Sequence, residues 1–369
     1  EYRNELKEHI QSSFDIAQNE PLITSDEDKE ENDVFAPHIQ NVIEAQGEKK
    51  EIRFIDAIQQ SLNQSMERYP GLVLMGQDIA EYGGAFKVTE GLVDLYGKGR
   101  VRNTPLCESA IVGAGLGLSI KGMKAMVEMQ FADFVTCGFN QIINNLAKIH
   151  WRWGQNADVV VRMPTGAGTA AGPFHSQSNE AWFFHTPGLK ILYPSNPTDA
   201  KGLLNAAIED PNPVLFFEHK YLYRSLKEEV PEAYYTTEIG KANVVSTGDT
   251  LTIITYGLGV HWAIEEMNNR PEIQAEIIDL RSLVPLDTET VYTSVKKTGR
   301  AIVLHEDCIS GGIGGELTAL ITEHCFEFLD APVLRVGSLN SPVPFAATIE
   351  AIFLPQDRFT KAVDELLNY

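Results

Sequence analysis

The spacing of apolar positions changes repeatedly along the chain from Ile52 onward. Short runs rich in β-branched residues alternate with longer stretches in which apolar residues recur every three or four positions. This pattern is typical of strands that alternate with amphipathic helices, and it predicts a parallel sheet covered by helices on both faces. The predicted strands are Leu72–Met75, Ala125–Met129, Val159–Arg162, Lys190–Tyr193 and Val214–Phe217, and the predicted helices are Phe54–Arg68, Glu108–Ile120, Phe134–His150 and Thr198–Ile208.

A second alternating series follows an irregular, charged stretch at residues 225–247. Such a stretch predicts a connection between domains. We therefore predict an α/β protein with one domain at residues 51–230 and a smaller α/β domain at residues 245–369. In the second domain the predicted strands are Thr252–Tyr256, Ala275–Asp279, Ala301–His305 and Val333–Val336, and the predicted helices are Val260–Asn269, Thr288–Lys297 and Gly314–Phe326.

The first 50 residues differ from the rest of the chain. Residues 1–17 could form a helix with Leu6, Ile10 and Phe14 roughly on one side. Residues 26–33 then contain six acids in eight positions. Because like charges repel one another, this run predicts a linker or mobile arm, with the binding of a basic partner as the alternative.

Composition narrows the classes of protein that the chain could represent. The net charge of −21 and the pI of about 4.8 disfavour nucleic acid as a partner. The acidic charge could instead serve only to keep the protein soluble, or it could bind a basic protein domain. No run of about 20 apolar residues occurs, so we expect no membrane span. The four cysteines form no C-x-x-C pair, so we expect no zinc ribbon or redox motif. Their small number in a long chain favours a reducing compartment. The polar start at Glu1 predicts a processed or truncated beginning, and we expect a cytoplasmic protein, or a mitochondrial one if a transit peptide was removed.

Glu108 stands at the head of an almost wholly apolar, glycine-rich segment. A buried ionised carboxylate without a partner would be very costly, so this acid needs a raised pKa or a specific hydrogen-bond partner. The alternative is an acid that only interacts with the helix dipole. The glycines at 113, 115 and 117 could indicate a dinucleotide site, but they fall inside the predicted helix, where close packing is the better explanation.

Two further stretches contain residues suited to binding or proton transfer. His175 ends a loop of glycines and small residues that could approach a ligand closely, and it could act as an acid or base near neutral pH. Phe131 and Phe134 follow a predicted strand, at the end where α/β folds bind ligands, and could stack on a planar ring. Core aromatics and a histidine bound to backbone are the structural alternatives.

Taken in order, these stretches resemble the β subunit of thiamine-diphosphate-dependent 2-oxo-acid dehydrogenases. The resemblance covers residues 51–369 and is carried by an ordered set of segments rather than by any single one. It implies a pyrimidine-binding transketolase-like domain followed by a transketolase C-terminal-like domain. The segments are residues 74–78, 104–117, 130–133, 175–177, 187–190, 199–203, 279–281 and 305–307.

The resemblance also implies roles for individual residues. Glu108 matches the glutamate that hydrogen-bonds ring N1′ of the cofactor's aminopyrimidine, and Phe134 matches the aromatic residue that packs on that ring. Leu106 and Gln130 match positions that line the same pocket. His175 matches the histidine assigned to acyl transfer onto the lipoyl group of the acyltransferase core.

One motif expected of a complete thiamine-diphosphate enzyme is missing. No Gly-Asp-Gly occurs in the chain, so the resemblance implies that magnesium and the diphosphate are bound by an α subunit or α part. Residues 1–50 resemble the end of such an α part, which predicts a fusion of α and β parts and an α₂β₂-like assembly. The family also implies a structural potassium ion held by backbone carbonyls at Ala157, Val159, Val160, Ala207, Asp210 and Asn212.

The substrate is less firmly indicated than the family. Residues 128–134 and 175–178 are more similar to branched-chain members, which predicts 3-methyl-2-oxobutanoate as the substrate and pyruvate as the alternative. A pocket difference of a methyl or two is worth only about 1–3 kcal/mol, so α-part residues could decide the preference. Two other hypotheses are a nicotinamide-dependent oxidoreductase that uses the glycines at 113–117, and a non-catalytic interaction protein on the same fold.

Overall fold

The computed structural model describes residues 1–369 as two compact units, residues 1–34 and residues 35–369. The first unit contains helices α1 (Tyr2–Asn19) and α2 (Glu27–Asn32). The predicted helix over residues 1–17 is therefore present. Residues 26–33, predicted as a linker or mobile arm, contain the short helix α2, which Asp26 caps by accepting a hydrogen bond from the Lys29 backbone N–H at 2.9 Å. Their role as a linker stays a prediction.

The first half of the larger unit follows the predicted alternation of strands and helices. Its elements are β1 (Lys49–Arg53), α3 (Phe54–Arg68), β2 (Leu72–Gly76), α4 (Leu92–Tyr96), β3 (Val101–Asn103), α5 (Glu108–Ile120), β4 (Lys124–Glu128), α6 (Ile149–Trp153), β5 (Val159–Thr165), α7 (Ala181–Phe184), β6 (Lys190–Leu192), α8 (Pro197–Glu209), β7 (Val214–His219), α9 (Leu222–Ser225) and β8 (Lys227–Pro231).

The second half repeats the alternation with fewer strands. Its elements are β9 (Asn243–Ser246), β10 (Leu251–Thr255), α10 (Leu258–Asn269), β11 (Ala275–Asp279), β12 (Ser282–Val284), α11 (Thr288–Thr298), β13 (Ala301–Cys308), α12 (Gly314–Cys325), β14 (Leu334–Ser338), α13 (Ala347–Phe353) and α14 (Gln356–Leu367), with a 3₁₀ turn at Phe326–Phe328. No helix in the chain combines the length and apolar character that a bilayer crossing requires.

Two sheets organise the larger unit. The first has seven strands in the order β12-β6-β7-β5-β4-β2-β3, and the second has five in the order β14-β13-β10-β11-β9. The central strands run parallel and are buried along their length, which explains their continuous apolar sequences. An antiparallel strand closes one edge of each sheet, β12 beside β6 and β9 beside β11. The α/β class is thus as predicted, and the domain boundaries near residues 50, 230 and 245 stay a prediction.

The helix predicted at Phe134–His150 is not continuous. A 3₁₀ segment at Ala132–Cys137 and a π segment at Gln141–Leu146 replace most of it, and only α6 is α-helical. Gly138 lies between these segments, where an added Cβ would be 3.4 Å from the Glu108 carbonyl oxygen. Close packing against α5 therefore accompanies the broken helix at this point.

Residues 35–48 are hydrogen-bonded to distant parts of the larger unit. The Ala36 backbone exchanges two hydrogen bonds with the Asn212 side chain, at 2.7 and 3.1 Å. Gln40 and Ile239 exchange two more, and Ile43 pairs with Thr236. Residues 225–247 likewise contain β8, which pairs antiparallel with β1. Local sequence gives no signal for these contacts, because each partner lies far away in the chain.

Candidate active site

Glu108 begins helix α5 and lies half-buried at its N-terminus. Its Oε1 accepts a hydrogen bond from Nε2 of Gln77 at 2.9 Å. Gln77 directly follows the buried strand β2 and is itself 4% exposed, and its Oε1 has no hydrogen-bond partner. The sequence required a specific partner for the Glu108 carboxyl, and the structure supplies one. Gln77 was not predicted as a site residue.

The chain just before Glu108 is open to solvent. Leu106 is 82% exposed, and Cys107 is also exposed. Because Leu106 is so exposed and lies close to the half-buried Glu108 carboxyl, this surface has both an apolar and an acidic part.

Gln130 is half-buried two residues beyond β4 and adjoins Phe131 in the chain.

An aromatic cluster joins two of the predicted stretches. The rings of Phe131 and Phe134 lie 5.5 Å apart, and the His175 ring lies 4.7 Å from Phe131 and 5.6 Å from Phe134, each pair meeting edge to face. Phe86 extends the cluster at 5.4 Å from Phe131. His175 is therefore held among aromatic rings and is half-buried.

Asp133 connects the aromatic segment to the loop that carries His175. Its Oδ1 accepts hydrogen bonds from the Gln177 backbone N–H at 3.2 Å and from the Gln177 side-chain amide at 2.9 Å. Asp133 is 6% exposed, and its Oδ2 has no partner. Asp133 and Gln177 were not predicted as site residues, although both lie in segments that carry the family resemblance.

A buried ion network lies at the centre of the same sheet. Arg162 on β5 donates to Oε2 of Glu128 on β4 and to both carboxylate oxygens of Glu218 on β7, each at 2.6 Å. Tyr223 donates to Glu218 at 2.6 Å as well. None of the three charged side chains is more than 4% exposed. The strand β4, which leads to Gln130 and Phe131, is thus tied to its neighbours by buried charge as well as by backbone pairing.

Comparisons with known proteins place these features in a family. Residues 50–225 match the family model of the transketolase pyrimidine-binding domain, and residues 240–358 match that of the transketolase C-terminal domain. The chain is 45% identical over 322 residues to the 2-oxoisovalerate dehydrogenase β subunit of Bacillus subtilis, a match that covers 86% of this chain and 98% of that protein. The chain belongs to the 2-oxo-acid dehydrogenase β-subunit family.

Other relatives agree with this assignment. The mitochondrial 2-oxoisovalerate dehydrogenase subunit beta 2 of Arabidopsis thaliana is 41% identical over 90% of this chain and 92% of its own length. A chloroplastic pyruvate dehydrogenase E1 subunit beta-2 from the same plant is 39% identical over 86% of this chain and 79% of its own length. A solved split-gene transketolase, an inactive beta4 tetramer, shares the fold with a TM-score of 0.67 at 22% identity, covering 86% of this chain and 98% of that one.

Membership of the β-subunit family confirms the predicted fold class, a pyrimidine-binding domain followed by a C-terminal domain. The family is dependent on thiamine diphosphate.

Within α5, the glycines at 113, 115 and 117 all have helical backbone rather than the turn of a dinucleotide loop. A Cβ added at Gly115 would lie 3.0 Å from Val127, so this glycine allows α5 to pack closely on the sheet.

The six residues predicted to hold potassium come from two segments that the fold brings together. The Ala157 backbone N–H donates to the Pro211 carbonyl at 3.0 Å, and Val160 pairs with Val214. The Asp210 side chain is already engaged by Lys190 at 2.5 Å and by Asn212 at 2.9 Å. The Asp210 carboxylate is therefore already paired, and it would not be free for a cation. The six are Ala157, Val159, Val160, Ala207, Asp210 and Asn212.

A cavity of about 370 Å³ is lined by residues from both domains of this β subunit. Ser178, Trp182, Glu306 and Asp307 are among the residues that form its walls. Burial raises the pKa of Asp307 to about 7, and the nearby charge of Glu306 adds to the effect. Burial, reinforced by the charge of Asp307, raises the pKa of Glu180 to about 8. At neutral pH Glu180 is therefore mostly protonated, whereas Asp307 is about half protonated.

We expect these two acids to make the protein less stable as the pH rises. Their pKa values in the folded state lie above the ordinary carboxyl range, so the stabilisation is complete below about pH 4 and is lost as the pH passes 7 and 8. In that window each acid lowers the free energy of unfolding by at most about 1.4 kcal/mol for each unit that the pH rises. Unfolding midpoints at pH 6 and pH 9 should therefore differ less in D307N than in the unmodified chain. The exposed-residue control D249N should keep the full difference, and an equal difference in D307N would contradict the prediction.

Proposed function

We propose that this chain is the β component of a branched-chain 2-oxo-acid dehydrogenase, acting in the oxidative decarboxylation of 3-methyl-2-oxobutanoate. The observation that carries the proposal is the Glu108 carboxyl, positioned by Gln77 at the start of an apolar helix and next to the exposed Leu106. The names of relatives from Bacillus subtilis and Arabidopsis thaliana support the same activity.

The residues present fit the aminopyrimidine part of thiamine diphosphate. Glu108 would share a proton with ring N1′, Phe134 would pack on the ring, and Leu106 and Gln130 would line the pocket. The unpartnered Oε1 of Gln77 leaves a hydrogen-bond acceptor beside Glu108. When bound, the cofactor supplies a nucleophilic carbon and an electron sink for decarboxylation. Gln77 keeps the Glu108 carboxyl oriented through its hydrogen bond to Oε1.

The same residues do not fit magnesium. No group of three or more His, Cys, Asp or Glu residues in the structure could hold a metal ion. We therefore assign magnesium and the diphosphate to an α subunit, which would cover the open surface at Leu106. A second β chain would complete an α₂β₂-like assembly, and the lipoyl acyltransferase core would be the acyl acceptor. Potassium would use the backbone carbonyls around Ala157 and Asp210.

We place the activity in the cytoplasm or, for a chain that has lost a transit peptide, in the mitochondrial matrix. The relatives from Bacillus subtilis and Arabidopsis thaliana support either compartment, because the first is bacterial and the second is mitochondrial. The acidic net charge of −21 supports docking to a basic domain of the acyltransferase.

The substrate assignment is tested by co-expression with the α subunit, followed by steady-state assays with 3-methyl-2-oxobutanoate and with pyruvate. We expect kcat/KM to favour the branched acid by about 10- to 200-fold, the range that one or two methyl groups provide in an apolar pocket. A preference for pyruvate would instead support the pyruvate dehydrogenase alternative, which the 39%-identical chloroplastic relative keeps open. Tight nicotinamide binding by this chain alone would favour the oxidoreductase hypothesis.

His175 is proposed to act in acyl transfer rather than in decarboxylation. H175A should lower acylation of the lipoyl group by about 10²-fold, because an acid or base near the reacting group is lost. Decarboxylation measured with an artificial electron acceptor should fall much less. H185A is the matched control, since His185 lies ten residues further along and is exposed. Equal losses of H175A in both assays would contradict this role.

A further inference from the structure

The loop that carries His175 spans residues 166–178 and is closed at its base. The Gln177 carbonyl accepts hydrogen bonds from the Thr165 hydroxyl at 2.8 Å and from the Gly166 backbone N–H at 3.4 Å. The two ends of the loop therefore meet, and whatever holds this base also fixes the loop on which His175 stands.

A single carboxylate from the C-terminal domain holds both ends of the loop. Oε1 of Glu306, on β13, accepts from the Ala167 backbone N–H at 2.7 Å and from the Ser178 hydroxyl at 3.0 Å. These partners lie 139 and 128 residues away along the chain. Glu306 is 6% exposed, so water competes little for these hydrogen bonds.

The second oxygen of Glu306 is bound by His219, at the end of β7. Oε2 lies 2.6 Å from Nε2 of His219, and the Tyr221 backbone N–H donates to Nδ1 of the same ring at 3.3 Å. Because Nδ1 accepts, Nε2 carries the proton and donates to Glu306. Gly166 rests directly on this ring at φ +93°, and a Cβ added there would lie 2.1 Å from Nε2. The base of the loop is thus seated on the paired Glu306 and His219 side chains.

The charge of Glu306 matches this arrangement of donors. Burial alone would raise the pKa of its carboxyl, but His219 and the hydrogen bonds from Ala167 and Ser178 lower the pKa below its usual range. An ionised carboxylate only accepts hydrogen bonds, and three donors converge on it here. A glutamine of the same shape would present an amide N–H to at least one of those donors.

We propose that Glu306 is a positioning residue for acyl transfer, through which the C-terminal domain orients the loop that carries His175. The inference rests on the proposed role of His175. A second contact from the same domain agrees with it, because Glu350 accepts from the Ala170 backbone N–H at 3.0 Å. Through Glu306 and Glu350 the C-terminal domain thereby acts on the second half-reaction.

The test compares E306Q with E276Q in the complex of the full chain and its α subunit. Glu276 is a matched control, since it is equally buried in the same domain but pairs with Lys297 and has no contact with the loop. E306Q should lower acylation of an isolated lipoyl domain by about 10²-fold, a loss expected for a displacement near 1 Å of a catalytic group. Decarboxylation with the artificial acceptor should change by less than about threefold, because Glu108 is not displaced. Hydrogen exchange at residues 166–178 should quicken in E306Q and stay unchanged in E276Q.

A milder variant keeps the inference testable if E306Q assembles poorly. S178A removes one donor to the same oxygen, and it should lower acylation selectively but by less than E306Q. Equal losses in both assays, or unchanged exchange of the loop in E306Q and S178A, would overturn the inference. H175A separates this result from the proposed function. If H175A lowers acylation more than decarboxylation and the Glu306 variants lower both equally, only the positioning role of Glu306 is contradicted. If H175A itself lowers both activities equally, the proposed role of His175 is contradicted first.

Discussion

E108Q is expected to reduce decarboxylation by about 10²- to 10⁴-fold, the range over which a positioned acid or base contributes to catalysis. Glutamine has nearly the same shape and can still hydrogen-bond Gln77, so the helix start and the assembly should survive. What it lacks is an exchangeable carboxyl proton at the atom proposed to face the pyrimidine nitrogen. Both half-reactions should fall together, since acyl transfer follows decarboxylation.

The measurement is the rate with an artificial electron acceptor, alongside size-exclusion chromatography of the assembled complex. D94N is the matched control, because Asp94 is an exposed acid in the first turn of another helix. If Glu108 interacted only with the helix dipole, its replacement would cost about 0.3–1 kcal/mol of stability and leave the rate unchanged. A decarboxylation rate of E108Q within about tenfold of that of the unmodified complex would therefore contradict the proposed role of Glu108.

R162M is expected to lower the free energy of unfolding by about 3–5 kcal/mol, because it leaves Glu128 and Glu218 as uncompensated charges in the core. Burial already raises the pKa of Glu128 in the intact network, despite the opposing charge of Arg162. Without Arg162 the Glu128 carboxyl would bind a proton more tightly in the folded chain than in the unfolded chain. The stability deficit should therefore narrow as the pH falls.

Urea denaturation of R162M and the unmodified chain at pH 7.5 and at about pH 5.5 tests both statements, since protonation of buried carboxyls extends into this range. R53M provides the comparison, because the side chains of Arg53 and Asp56 are 44% and 31% exposed, and surface ion pairs contribute only about 0–1 kcal/mol. An R162M deficit no larger than that of R53M, or one that does not change with pH, would show that the buried network contributes little.

Elements with a strong local signal were predictable from the sequence. The predicted bounds of α3, α5 and β11 match the structure. α3 has a clear apolar period, whereas α5 is an almost continuous apolar segment that begins at the charged Glu108. The short strands β3 and β12 were missed because three residues carry too little pattern, and their pairing is decided by distant partners. Apolar spacing also could not distinguish an α-helix from the 3₁₀ and π segments that follow Phe131.

The candidate site divides in the same way. Glu108 was identifiable because an acid at the head of an apolar helix is chemically conspicuous, whereas its partner Gln77 lies 31 residues earlier. A usable signal existed, since Gln77 is the first polar residue beyond a buried parallel strand, at the end where such sheets bind ligands. Glu306 belongs to one of the segments that carry the family resemblance, residues 305–307. Its contacts with the His175 loop could not be predicted, because they span more than a hundred residues.

The strand β12 has a consequence for how the protein is made. It lies in sequence within the second half of the chain but completes the edge of the first sheet beside β6. On the ribosome, the first sheet would therefore keep a bare edge until residue 284 has left the exit tunnel, and bare edges invite pairing with other nascent chains. A gene fragment that stops near residue 245 should accordingly yield aggregates rather than a separately folded domain.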